Sequence, residues 1–365
     1  MKMIITVLFS FLFISHASIG QGNSSANTYL FNDSHFHLTN FIQEGITANK
    51  FLDIMGSKTG RSTLFGIPLQ QQWSFQNSGA YAPTYYLQSD APLYYYSFTD
   101  AYIAMQYKSL TPVQQARLDP MITGFNPADM YAAKHIERVL RTFPGVFTGI
   151  GEFSIHKEFV SSKIAGEVAS LTNPALDSLL EFAERVGLVV VLHCDMDMPM
   201  AKEKTEPVYL AQMKSVLRRH PRTTIIWAHV GLGRIVHPVG YGSSAYGERS
   251  SSHIDLVEEI LKDTSLSHVY FDISWDEVAK YIVATPQTIQ NSARLFNQYS
   301  DRFLFGTDVV APPDQKFYLA VYDMYEPLWK ALTPQASEKL RKGNYIRLFD
   351  EARKKVRTWE KVNIK

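Results

Sequence analysis

The chain has 365 residues, with 36 Lys and Arg against 35 Asp and Glu and a single cysteine, Cys194. A balance this even offers no electrostatic footprint for nucleic acid or an anionic membrane surface. One cysteine excludes an intramolecular disulfide, so stability must come from a packed core, and the expected partner is a small neutral or mixed-charge molecule.

Residues 1–20 carry a lone Lys2, an apolar run from Met3 to Ile14 and small residues around Ala17, Ser18 and Gly20. That is the layout of a secretory signal peptide, and its apolar run is too short to span a bilayer. The expectation is an exported protein, periplasmic or extracellular, with no stable membrane insertion after cleavage and a mature domain over residues 21–365.

Beyond the leader, eight short runs rich in β-branched and aromatic residues read as strands. They are Tyr29 to Asp33, Ser62 to Ile67, Met121 to Phe125, Phe147 to Glu152, Leu188 to His193, Thr224 to His229, His268 to Ile273 and Phe303 to Asp308. Helical patterns fill most gaps, over Pro127 to Thr142, Asn173 to Val186, Glu206 to Arg219, Ser252 to Lys262 and Asp276 to Tyr281. Asn173-Pro174 and Ser252 have the chemistry of helix starts. Alternation of this kind predicts βαβ units and an α/β fold, a (β/α)₈ TIM barrel.

Two stretches break the repeat. Residues 71–120, rich in tyrosine, glutamine and proline, read as an insertion after the second strand, either capping the barrel mouth or packing on its outside. An exposed aromatic insertion of this kind is also a natural homodimer surface. Gly231 to Ser252, with five glycines, reads as an active-site loop. Gly231 and Gly233 lack the rest of a dinucleotide fingerprint, so no nucleotide cofactor is expected. The tail from Thr333 through Trp359 reads as a helix that closes the barrel.

The chemistry begins at Asp33-Ser34-His35-Phe36-His37. Side chains two apart on a strand share a face, so His35 and His37 can offer two imidazoles to one ion. His193, His229 and Asp308 each end a later strand-like run, which is where barrel active sites are built. Three imidazoles and a carboxylate leave a coordination position for water, whose pKa a divalent ion lowers toward neutrality. Asp308 would then accept the proton and His229 steady the developing oxyanion.

Together these residues resemble the amidohydrolase superfamily of metal-dependent barrels, and within it the branch of amidohydrolase-2 proteins and aminocarboxymuconate-semialdehyde-type decarboxylases. The resemblance implies metal ligation by His35, His37, His193 and Asp308, with His229 a catalytic group beside one ion or a ligand beside two. Glu152 stands where binuclear relatives place a bridging carboxylate, and Lys157 lies too far past the strand end to serve there. The sequence favours a single ion, with zinc the best match to imidazole and carboxylate donors. Arg234, His237 and Trp275 are candidates for holding substrate. The expected reaction is hydrolysis of a small amide, lactone or ester. Non-oxidative decarboxylation of a small aromatic acid is the alternative, and a barrel reduced to binding is a third reading that the five metal-type residues disfavour.

Overall fold

The structure is a computed structural model, described over residues 29–40, 45–67, 72–73, 87–88, 98–157, 170–197, 207, 209–233 and 252–364. Eight parallel strands lie side by side in chain order: β1 (Phe31–Asp33), β2 (Thr59–Leu64), β3 (Leu118–Ile122), β4 (Gly149–His156), β5 (Val189–Cys194), β6 (Ile225–Trp227), β7 (Val269–Asp272) and β8 (Phe303–Leu304). The ends of β8 and β1 then meet. Ser34 N donates to Phe305 O (3.1 Å), Asp308 N to His35 O (2.7 Å) and Ala311 N to His37 O (2.9 Å), while Phe36–His37 runs parallel to Val309–Val310. These bonds close the sheet into a TIM barrel.

One principal helix follows each strand: α1 (Ala48–Met55), α2 (Phe98–Lys108), α3 (Ala132–Thr142), α4 (Pro174–Val186), α5 (Leu210–Arg219), α6 (His253–Lys262), α7 (Pro286–Gln298) and α8 (Asn344–Asn363). Their ends follow local chemistry. Asn173 Oδ1 accepts from Ala175 N ahead of Pro174, and Ser252 and Asp255 form a reciprocal capping box before α6. Gly187, with φ of 85°, ends α4 in the left-handed conformation that glycine tolerates best.

Period-two alternation sorts β5 between two cores. Val189 and Val191 point into the barrel, against Met121, Ile226 and Leu304, while Val190, Leu192 and Cys194 pack outward among the helices. His193 therefore occupies an inward position and Cys194 does not. Tyr345, Leu348, Phe349 and Ala352 recur at i, i+3, i+4 and i+7, so one face of α8 seals the barrel floor against those same valines. Each large side chain buried there contributes about 1.5–3 kcal/mol.

β2 and β3 each begin three residues earlier than the sequence suggested. Asp119-Pro120 reads as a strand breaker, yet Asp119 points into a buried ion network and the Pro120 carbonyl accepts from Thr148 N (3.0 Å). Residues 98–120, expected within the aromatic insertion, hold α2 and the opening of β3. The tyrosine-rich 74–86 and 89–97, the leader and residues 234–251 lie outside the described residues. No helix among the described residues is long and apolar enough to cross a membrane.

Candidate active site

The C-terminal ends of the strands bring His35, His37, Glu152, His193, His229, Asp272 and Asp308 into one buried cluster. Gly306 permits this at the β8 end, because a Cβ there would stand 2.7 Å from the Cβ of His35. Asp33 ties the same two ends together. It accepts from His35 N, Thr307 N, Thr307 Oγ1 and the Tyr318 hydroxyl, at 2.7–3.0 Å. Burial outweighs these bonds and raises its pKa to about 6.

Glu152 lies at the centre. Its Oε2 is 3.6 Å from His35 Nε2 and 3.5 Å from His37 Nε2, while its Oε1 is 2.7 Å from His193 Nδ1 and 3.3 Å from His229 Nε2. Asp308 Oδ1 stands 3.4 Å from His35 Nε2 and 3.2 Å from His37 Nε2. Burial opposes ionisation of Glu152, but the charges of Lys157 and His35 hold it well below the usual carboxylate range. Burial likewise opposes ionisation of Asp308, and the neighbouring histidines, His229 first, more than reverse it. Burial lowers the pKa of His229, against the pull of Asp308 and Glu152.

Behind the imidazoles stand further polar groups. Asp272 Oδ2 is 3.0 Å from His35 Nδ1, Ser274 Oγ is 2.9 Å from His229 Nδ1, and Asp195 Oδ1 is 3.0 Å from His193 Nε2. Backbone strain concentrates at the same end: His229, Val230, Trp275, Asp308 and Ala311 all have φ between 41° and 80°. Non-glycine residues rarely adopt that region, and it clusters at functional sites.

A metal ion fits this donor set. His35, Glu152, His229 and Asp308 each present a donor atom, all within 4.8 Å of one another. Buried imidazole nitrogens ordinarily find a hydrogen-bond partner, yet His35 Nε2 and His229 Nε2 have none. Nitrogen and carboxylate donors in this number suit zinc and its divalent neighbours.

Every sequence candidate within the described residues lies at this end of the barrel. Trp275 packs against His229 with ring centroids 5.2 Å apart, behind the cluster. Arg234 and His237 lie outside the described residues. Lys157 follows directly on β4, which continues to His156, and its charge acts on Glu152. Asp195, Asp272 and Ser274 are polar neighbours that sequence reasoning missed. Asp272 carried the one usable signal, a carboxylate ending the apolar run Val269-Tyr-Phe-Asp272 as Asp308 ends its own.

A model of the amidohydrolase family matches residues 114–350, well over half of the chain and inclusive of Glu152, His193, His229, Asp272 and Asp308. The chain belongs to the amidohydrolase family. With that membership it is an enzyme, a metal-dependent hydrolase. No curated protein matches it. Among solved structures, an amidohydrolase from Burkholderia multivorans with bound zinc is 12% identical, with a TM-score of 0.51 over 88% of this chain and 99% of that one. A Pseudomonas putida protein provisionally assigned as a 2-pyrone-4,6-dicarboxylic acid hydrolase is 15% identical, with a TM-score of 0.50 over 88% and 98%. At such identities the likeness speaks to the shared barrel alone.

Proposed function

We propose that this amidohydrolase cleaves a C–N or C–O bond in a small amide, lactone or ester, using two divalent ions, zinc first among them. The observation that carries this reading is the division of Glu152. One oxygen faces the His35 and His37 pair and the other the His193 and His229 pair, which is the placement of a bridging carboxylate. That favours two ions over the single ion the sequence favours: His35, His37 and Asp308 would hold one, His193 and His229 the other, and Glu152 would be shared between them. When bound, such ions supply Lewis-acid polarisation of the scissile carbonyl and lower the pKa of water.

The protein's own groups handle the protons. Asp308, held ionised, accepts a proton at its carboxylate and delivers it to the leaving nitrogen or oxygen. Burial shifts His229 toward its neutral form, and its Nε2 has no hydrogen-bond partner, so it serves better as a ligand than as a charged donor to an oxyanion. Export rests on the leader pattern alone and belongs to the same proposal.

The test is hydrolysis of a panel of small lactones, esters and amides by chelator-stripped protein, before and after reloading with zinc. Activity should return with the metal, and Asp308→Asn should lower kcat by roughly 10²–10⁴-fold. Unchanged turnover in the stripped protein or in Asp308→Asn contradicts the reading, and release of carbon dioxide without hydrolysis points to the decarboxylase instead.

A further inference from the structure

The fully buried carboxylate of Asp272, at the end of β7, stands between two histidines that come from strands on either side of it, His229 after β6 and His35 after β1. Its Oδ2 is 3.0 Å from His35 Nδ1. Its Oδ1 accepts from His229 N (2.8 Å), from Ser274 N (3.2 Å) and from the Ser274 hydroxyl in a very short bond. The Tyr325 hydroxyl fixes the backbone between them by donating to Ile273 O (2.6 Å).

Counting protons decides what these bonds mean. An ionised carboxylate only accepts, so His35 must carry its hydrogen on Nδ1. Ser274 has one hydroxyl hydrogen, and its close approach to Asp272 assigns it there. The Ser274 oxygen can then only accept from His229, which places the hydrogen of that ring on Nδ1 as well. In the neutral rings both Nε2 lone pairs then face the centre of the cluster, and both are among the buried ring nitrogens that find no hydrogen-bond partner among the described residues.

We infer that Asp272 is a positioning residue that sets the tautomers of His35 directly and of His229 through Ser274, so that one carboxylate prepares ligands from β1 and β6 together. The inference deepens the metal-centre reading and rests on it, but its structural content holds without any ion. Outer groups of this kind fix ring orientation and raise ligand basicity.

Asp272→Asn makes a directional test because the amide has one accepting atom. On the Oδ1 side its NH₂ would meet three donors, so it must turn toward His35 Nδ1 and drive the His35 hydrogen to Nε2. Histidine ¹⁵N–¹H correlation spectra of the metal-free protein at alkaline pH read this directly, alongside zinc affinity by chelator competition. The wild type should show Nδ1–H on both rings. Asp272→Asn should switch His35 to Nε2–H and weaken zinc binding by roughly 10–100-fold. Ser274→Ala, a mild change that guards against misfolding, should disturb His229 and leave His35 as Nδ1–H.

Nε2–H in place of Nδ1–H on His35 or His229 in the wild type would overturn the inference, as would an Asp272→Asn protein whose tautomers and zinc affinity are unchanged. Failure of the wild type to bind zinc would instead strike the proposed function, while the spectra still decide the tautomers.

Discussion

Two ends of one barrel bury carboxylates among cations and treat them in opposite ways. At the floor, Asp119 is saturated: Arg61 grips it through Nε and a terminal nitrogen at 2.8–3.1 Å, Arg353 donates at 2.6 Å and the Tyr345 hydroxyl at 2.8 Å. At the mouth, Glu152 and Asp308 crowd against imidazoles at distances that are mostly too long for good hydrogen bonds, and three ring nitrogens, His35 Nε2, His37 Nδ1 and His229 Nε2, are left without hydrogen-bond partners. Saturation is what a structural network needs, since a half-satisfied one costs stability. Under-satisfaction at the mouth is what a cation-binding site needs, since its donors must be kept free for the ion.

The sharpest way to break that comparison is to delete one carboxylate at each end. Asp119→Ala should cost about 3–5 kcal/mol, because it removes the buried partner of two mostly shielded guanidinium groups and leaves Arg61 only the exposed Asp350 and Arg353 only the Leu118 carbonyl. Asp308→Asn in the metal-free protein should cost less, since its removal relieves a crowded cluster. Urea denaturation of both variants measures this. A larger loss at the mouth than at the floor would overturn the distinction.

A smaller effect lies just beside the mouth. Burial lowers the pKa of His156 to about 4, and its ring stacks on Tyr209 with centroids 3.7 Å apart. Its folded-state pKa lies below the ordinary 6.5, so the unfolded chain takes up the proton first as pH falls. Stability should decline from about pH 6.5 to about pH 4 and level off below. His156→Phe keeps the stacking and removes the titration, and should flatten that decline by roughly 1–3 kcal/mol in denaturation curves taken across the range. An unaltered decline in the variant would assign the acid sensitivity to other groups.

The difference between the two ends also shows how much of this molecule is legible in its sequence. The barrel was legible because a buried parallel strand needs a continuous apolar run, and all eight runs coincide with strands. His35, His37, His193, His229 and Asp308 stood out as polar residues ending such runs. The edges of β2 and β3 were not legible, because Asp119 and Pro120 imitate a turn, and only tertiary partners from β2 and α8 make a strand there possible. Asp272 was overlooked for a related reason. A lone carboxylate after Phe271 carries no periodic signal, and its value depends on His35 arriving from β1, 237 residues away in the chain. The outer partners Asp195 and Ser274 follow suit, each recognisable only once the ring it supports has been placed.

The central claim is that the mouth is a metal centre bridged by Glu152. Metal content per chain tests it most directly, by elemental mass spectrometry on protein purified without chelator, wild type beside Glu152→Gln. The account predicts near two divalent ions in the wild type, falling to about one in Glu152→Gln. A single ion untouched by Glu152→Gln would contradict the bridging role, and no bound metal even after reconstitution would contradict the centre itself.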